Sequence, residues 1–370
     1  MNVVFVVGSV SQIDEPVYAA MAASGAIRPI VYYYNSYGLR RTIEDPELGV
    51  VPIYPDAGDT YKRVWVNTKS VGLATLTRRI LETNPCGVVL GDLPIRVRQL
   101  LAFVFRVRGI RVGLRSDKNS LSDRARVGLP LQIERAAIRY TYDFLAPISP
   151  LTLQYYGWPV SRPHLQFPYS TPDDYGSLAA DRLRARRALG IENKAFVYLA
   201  VAKFVERENP GAVIRAFERL QRISARGRLV IVGAGPLFDR ERRYVRENVA
   251  NASLVGYVPY SQLGTYFAAA DTFLHLARSE PWGVSVQDAL YAGLGVIAST
   301  QVGSARHLLK GQLARYLVEA DDVVTTAERM AELLGVASVS ARFAAARDEV
   351  ARAFTVQATV RAWGALSWLR

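Results

Sequence analysis

SEPWGVSVQDALYAGLGVIAST, residues 279–300, follows a strand-like run at 272–276 and closes in a second one at 295–298. Pro281 and Gly283 mark a turn, and residues 284–291 have the apolar spacing of a helix. A strand, a turn, a helix and another strand in so short a span is the repeating unit of a parallel sheet with crossover helices. The same alternation runs along the rest of the chain. Runs rich in β-branched residues at 196–201, 228–232 and 253–255 predict further strands in the same half. In the first half, strands are predicted at 3–7, 29–33, 87–90, 110–114 and 143–146, with helices around 70–83 and 131–139. A doubly wound parallel sheet in each half is the simplest arrangement.

A chain of 370 residues suits two domains of about 150–200 residues each. Between them, GWPVSRPHLQFPYSTPDDYGS at 157–177 carries prolines at 159, 163, 168 and 172, which exclude a regular helix or a central strand. The expected organisation is an N-terminal domain over 1–160, a linker over 161–180, and a second domain over 181–350. A charged helix is predicted from about 178 to 189, and the Ala/Arg-rich tail after Ser338 reads as helical. Its last part, 351–370, is expected to pack back on the N-terminal domain.

Composition excludes several classes. Half the residues are hydrophobic and 21% are charged, a globular balance and not a disordered one. No apolar run approaches the roughly 18–20 residues of a membrane-spanning helix. The opening MNVVFVVGSV has no basic n-region and reads as a buried first strand. Cys86 is the single cysteine, so an intramolecular disulfide and a cysteine zinc site are excluded, and a reducing cytoplasm is the expected compartment. His164, His275 and His307 are too scattered to suggest a metal site.

The net charge of +13 calls for an anionic partner. Eleven Arg/Lys against three acids between Arg96 and Arg139 leave a surplus of eight in that stretch alone (11 − 3). Arg96, Arg98, Arg106 and Arg108 frame the apolar LLAFVF at 100–105. At roughly 100° per residue these arginines fall all around a helix, so a half-buried helix and a membrane-contacting one are equally compatible with the pattern. None of the recognised nucleic-acid modules is present, and nucleic acid is not expected as a partner.

The 279–300 stretch also carries chemistry. Main-chain N–H groups near Gly283 and Val284 at a helix N-terminus favour a phosphate or a sugar hydroxyl, and Glu280 lies beside them. Asp288 lies about a turn and a half into the helix. Read from spacing alone, Glu280 serves equally as a partner for the helix dipole and Asp288 as a solvated acid. LVIVGAGP at 229–236 is a buried strand opening into a turn, where Gly233 and Gly235 permit either ligand approach or tight packing.

Glu280 and Asp288, separated by seven residues and set between EPWG and ALYAGLGVIAS, resemble the donor-domain signature of the retaining glycosyltransferases of family 4, also called group 1. That family carries Glu at the second position, where this chain has Asp288. YLAVAKFVERENPGAVIRAF at 198–217 and LVGYVPYSQLGTYFAAAD at 254–271 resemble further pieces of the pattern, in the same order. The resemblance covers about 195–310 well and the first 150 residues in outline.

It implies two Rossmann-like doubly wound domains facing each other across a cleft, the GT-B type. A sugar would pass from a nucleoside diphosphate to a hydroxyl with retention, with the nucleotide sugar as co-substrate and neither cofactor nor metal required. By the resemblance Glu280 contacts the donor sugar and Asp288 the ribose. Lys203 and Arg207 neutralise the diphosphate, although Glu208 stands where the family usually has a second Lys. Main chain near Tyr257 and Val258 meets the base, Leu263 packs beneath it, and Gly8, Gly233, Gly235, Pro281, Trp282, Gly283 and Val284 complete the donor site. Members often carry an N-domain His, which this chain lacks before the linker.

The first loop, VGSVSQIDEP, offers Ser9 and Ser11 to a phosphate or an acceptor, or is simply a capped turn. GLRSDKNS at 113–120 resembles a strand end seen in bacterial members, making Arg115 and Asp117 acceptor-side candidates together with Asp92. The expected acceptor is a glycan, lipid-linked or small-molecule hydroxyl in bacterial surface-polysaccharide or glycoconjugate synthesis. The enzyme is expected in the cytoplasm, held peripherally on an anionic inner membrane face. A nucleotide-sugar epimerase, a sugar phosphorylase of the same fold, and an inactive basic binding protein are the alternatives.

Overall fold

The computed structural model describes residues 1–8, 10–34, 42–45, 49–52, 60–66, 71–123, 127–224 and 226–365, with side chains omitted at 42–45 and 49–52. Ser9, Ser70 and the last five residues of the tail lie outside this set. The chain divides into two compact units. One comprises Met1–Glu44, Val50–Ser170 and Thr355–Arg370; the other comprises Asp45–Gly49 and Thr171–Phe354.

The first unit is built on strands β1 (Asn2–Val7), β2 (Arg28–Tyr33), β5 (Lys62–Trp65), β6 (Gly87–Leu90), β7 (Arg111–Ser116) and β8 (Phe144–Pro147), while β3 (Thr42–Asp45) and β4 (Gly49–Pro52) form a separate two-stranded ribbon. The six strands are parallel in the order β5-β2-β1-β6-β7-β8. The second unit repeats that order with β9 (Phe196–Val201), β10 (Gly227–Val232), β11 (Ala252–Gly256), β12 (Thr272–His275), β13 (Gly295–Ser299) and β14 (Leu317–Val318), arranged β11-β10-β9-β12-β13-β14. Ranked along the chain, each sheet reads 3-2-1-4-5-6, the doubly wound order, which reverses between its first and fourth strands. The doubly wound expectation holds for both halves.

Alternation along the strands explains why both faces of each sheet are covered. In β1, Val3, Phe5 and Val7 join one buried cluster and Val4 and Val6 join another on the opposite face. β12 and β13 are buried at every position, as central parallel strands are. Nine of the ten predicted strands agree in extent to within about one residue, and the tenth, 110–114, runs two residues further, to Ser116. The ribbon strands β3 and β4 were not predicted, nor were β5 and β14 of the two sheets. β5 is an edge strand whose Lys62 and Arg63 break the apolar signal, and β14 is only two residues long. The charged stretch at 178–189 is not one helix: a 3-10 turn over Asp173–Asp181 leads into an α-helix over Arg182–Ala188. The proline-rich stretch contains the passage from the first unit to the second, between Ser170 and Thr171.

The tail is helical in three pieces: Val339–Arg342, Ala344–Ala353 and Val356–Gly364. The last helix begins where the chain returns to the first unit, with the Thr355 side chain accepting the Ala358 N–H at 3.2 Å as its cap. Trp363 then lies fully buried in the first unit, 5.5 Å from the Phe5 ring and 5.4 Å from Phe167, and its indole N–H donates to the Gln166 carbonyl at 3.1 Å. Trp363→Ala is expected to cost the first unit about 3–5 kcal/mol, read as a lower urea midpoint by circular dichroism.

Candidate active site

The second unit gathers its polar groups where the strand order reverses. β9 and β12 are parallel neighbours, so the chain leaves both at the same end of the sheet, which is where ligands bind in doubly wound folds. From β9 the chain runs through Lys203 and Arg207 to Asn209; from β12 it runs through His275 to Glu280. Asn209 adopts the left-handed conformation (φ 53°) just before the helix Pro210–Ile223. Its amide donates to the Leu276 carbonyl (3.2 Å), the Ala320 carbonyl (2.9 Å) and Asp321 (3.1 Å), fastening the first loop to the second.

Gly233 and Gly235 set the position of Lys203. A Cβ at Gly233 would come within 1.8 Å of the Ala202 carbonyl oxygen, and one at Gly235 within 2.7 Å of the Phe204 carbonyl oxygen. Both residues have positive φ, 147° and 150°. The tight-packing reading therefore holds for these glycines: the β10 turn lies directly against the backbone that carries Lys203.

Arg207 joins two carboxylates. One guanidinium nitrogen donates to Glu280 at 2.9 Å and to the Ser279 carbonyl at 3.1 Å, and the other donates to Glu208 at 2.8 Å. Glu208 is buried and also accepts the Lys203 main-chain N–H at 2.6 Å. Burial pushes Glu208 up to about 7, against the opposing pull of that N–H and of Arg207, with Glu280 adding to the rise. His275 is buried with neither ring nitrogen partnered among the described residues; burial lowers its pKa, only partly offset by Glu280, so it is neutral at pH 7.

Around Glu280 the main chain is fixed on both sides. Its N–H donates to the Gln301 carbonyl at 3.1 Å and its carbonyl accepts the Gly303 N–H at 3.1 Å. Gly303 is required there, because a Cβ would fall 2.0 Å from the Pro281 carbonyl oxygen. Gly283 precedes the helix Val284–Tyr291 in the left-handed region (φ 85°), which turns the helix N-terminus into the same loop.

Two residues of this stretch face inward. Trp282 stacks on Phe354 at 5.2 Å and donates to Gln287 at 2.9 Å, so its ring packs the loop from below. Asp288 is 1% exposed, with Thr171 Oγ1 donating to one carboxylate oxygen at 2.6 Å and Tyr260 Oη to the other at 3.1 Å. Asp288 is therefore not the solvated helix acid that spacing alone allowed. Burial pushes its carboxyl up to about 7 despite those two hydrogen bonds. Leu263 is buried at the start of the helix Leu263–Ala269, while Tyr257 is exposed and Val258 half-buried after β11. The roles of Thr171 and Tyr260 carry no sequence signal, because each is defined by a contact with Asp288 more than 25 residues away.

In the first unit the ends of β6, β7 and β8 enclose a small cavity lined by Asp92, Arg115, Asp117 and Tyr169. Three of the acceptor-side candidates thus come together. Arg115 is buried and donates twice to Asp14 at 2.7 Å, with its guanidinium 4.5 Å from the Phe167 ring centre. Burial works against this charge and Asp14 overcomes it, keeping Arg115 protonated. Ser11 supports the same turn, its carbonyl accepting the N–H groups of Asp14 and Glu15 at 3.0 Å. Gly8 is buried at the end of β1. Sequence reading missed Asp14; an acid before a helix is its only signal, and that signal does not name Arg115. Among the described residues no three His, Cys, Asp or Glu side chains converge as a metal site.

Residues 181–347 match the family described as glycosyl transferases group 1. The likeness to that family lies over this segment, within the second unit. The chain is 29% identical over 111 residues to an alpha-monoglucosyldiacylglycerol synthase of Acholeplasma laidlawii, covering 30% of this chain and 28% of the relative. It is 27% identical over 161 residues to a GDP-mannose-dependent monoacylated alpha-(1-6)-phosphatidylinositol monomannoside mannosyltransferase of Corynebacterium glutamicum, covering 42% of each. The matches therefore span well under half the length of these relatives. Two solved structures align over nearly the whole chain. A glycosyltransferase from Rickettsia africae has TM-score 0.74 at 12% identity, covering 97% of this chain and 96% of that one. Anabaena HepE in complex with UDP has TM-score 0.69 at 12% identity, covering 98% of both. At such identities the likeness establishes the fold, two Rossmann-like units of the GT-B type.

The buried carboxyl of the family segment gives a pH test. Asp288 has an ordinary value of 3.8 and is raised to about 7 in the fold, so the native state holds the extra proton between those values. The stability tied to this proton is complete below the ordinary value and is lost as pH rises through about 7. Glu208 acts in the same sense from 4.5. Asp288→Asn is expected to flatten the fall of Tm between about pH 4 and pH 8, measured by calorimetry.

Proposed function

We propose that this protein is a retaining glycosyltransferase that moves a sugar from a nucleoside diphosphate to an acceptor hydroxyl. The observation that carries the reading is Arg207, bound to Glu280 at 2.9 Å at the switch point of a group 1 segment, with Lys203 on the same loop. A cation pair and a helix N-terminus beside one carboxylate suit a ligand that is anionic at one end and hydroxylated at the other. Lys203, Arg207 and the N–H groups near Gly283 receive the diphosphate, and Glu280 accepts hydrogen bonds from the sugar hydroxyls. The main chain near Tyr257 and Val258 meets the base, and Asp288, held by Thr171 and Tyr260, lies behind the ribose.

The bond from the anomeric carbon to the diphosphate oxygen breaks and its electron pair leaves with the diphosphate. The acceptor oxygen bonds to the anomeric carbon on the same face, and its proton passes to the departing phosphate oxygen. No protein nucleophile, cofactor or metal enters this scheme. The relatives named for a glucosyldiacylglycerol and for a phosphatidylinositol mannoside favour a lipid-linked acceptor, with the cavity at Asp92, Arg115 and Asp117 on the acceptor side, in glycoconjugate synthesis at the cytoplasmic face of a bacterial membrane.

A thermal-shift panel of UDP, GDP, ADP, CDP and dTDP tests the donor site. One diphosphate is expected to stabilise the protein, by about 2.7 kcal/mol at a hundredfold excess over Kd. Arg207→Ala is expected to remove that shift and to lower turnover on the order of a hundredfold. Folded protein stabilised by none of the five supports the inactive binding protein instead, and conversion of the nucleotide sugar without an acceptor supports the epimerase.

Glu208 adds a pH dependence. Ionised above about 7, it competes with the diphosphate for Arg207; protonated below, it releases that cation. Nucleotide-sugar affinity by calorimetric titration is expected to weaken as pH rises through 7, and Glu208→Gln to abolish the change.

A further inference from the structure

Fourteen large apolar side chains are exposed among the described residues, and eight of them lie between Ile95 and Tyr140. They sit on two neighbouring helices of the first unit, Ile95–Val107 and Leu129–Thr141, and on the approach to the second. On the first helix, at roughly 100° per residue, Ile95, Arg106, Gln99, Phe103, Arg96, Val107 and Leu100 span an arc of about 140°. All seven are exposed, Phe103 at 65% and Val107 at 71%, while Leu101, Ala102 and Phe105 bury the opposite side. The arginines are dispersed as the sequence indicates, yet the outward arc is a coherent mixture of apolar and cationic side chains. On the second helix Leu129, Ile133, Ala136 and Tyr140 fall within about 60° of one another, opposite the buried Ile138.

The two helices are joined at this surface by Arg106, which donates to the Tyr140 carbonyl at 2.5 Å and pairs with Asp143 at 3.2 Å. Arg96, Arg108 and Arg111 are exposed with no acidic partner among the described residues. Beside them, Leu73, Leu81, Leu100 and Val104 floor a groove of about 420 Å³ with Arg78 and Arg108 among its lining residues. Contiguous exposed apolar surface marks an interaction site, and unpaired arginines around it select an anionic partner.

We propose that this two-helix face docks on an anionic lipid bilayer, with Phe103, Val107, Leu129 and Ile133 entering the headgroup–acyl boundary and Arg96 and Arg108 contacting lipid phosphates. A second copy of the chain is disfavoured because a twofold contact through this face sets its arginines against their own copies. Nucleic acid is disfavoured because most of the exposed side chains are aliphatic and offer no stacking surface. The surface rests on the first unit's own side chains and stands apart from the transferase reading.

Flotation of the full chain with phosphatidylglycerol–phosphatidylcholine vesicles, against phosphatidylcholine alone, tests it without any need for catalysis. The protein is expected to float with the anionic vesicles only. Phe103→Ser with Val107→Ser, and separately Arg96→Glu with Arg108→Glu, are each expected to weaken binding at least about tenfold at unchanged circular dichroism and Tm. Equal binding to both vesicles, no binding to either, or unaltered binding by the two variants overturns the proposal. A dimer in light scattering that the serine variant dissolves also overturns it, assigning the face to a second copy.

Discussion

Parallel pairing of β9 with β12 brings Tyr198 beside Thr272 and Leu199 beside Phe273, so two loops distant in sequence leave the sheet together. Arg207 belongs to one loop and Glu280 to the other, and their 2.9 Å contact exists only because both strands end at the same edge. The glycines at 233 and 235 fix the height of the first loop, and Gly303 fixes the second against Pro281. The constraint is therefore backbone packing, with the charged side chains placed as its consequence.

Burial then decides how those charges behave. Glu208 and Asp288 are carboxyls of the same segment, both raised to about 7, but in different company. Glu208 shares the Arg207 cation with Glu280, which couples its proton to the Arg207–Glu280 contact. Among the described residues Asp288 meets only neutral donors, Thr171 and Tyr260, and so takes part in a buried network that continues through Gln287 to Trp282. In the first unit the opposite balance holds, since Arg115 keeps its charge because Asp14 meets it with two hydrogen bonds.

The first unit also uses apolar side chains in two ways. Trp363, Phe5 and Phe167 are committed to one face of its sheet, whereas Phe103, Val107 and Leu129 are left in solvent beside exposed arginines. Packing of one fold leaves no demand for that second set, and the cost of exposing it is what makes the two-helix face informative.

Most strands were legible in the sequence because central parallel strands are uninterrupted apolar runs: 196–201 and 87–90 match the structure residue for residue. The Glu280–Asp288 motif and the helix at 284–291 were legible for a similar reason, since local spacing and turn residues determine them. The edge strand at Lys62 was not, because half-buried pairing tolerates charge. Sequence could name Glu208, Asp288 and Arg115 but not their partners or their protonation, since Lys203, Thr171 and Asp14 reach them through the fold. Spacing along the chain is a one-dimensional property and marks most of the strands and helices. Contact and desolvation are three-dimensional, and only the tertiary structure decided which carboxyls are buried, which cation they share and which apolar side chains remain uncovered.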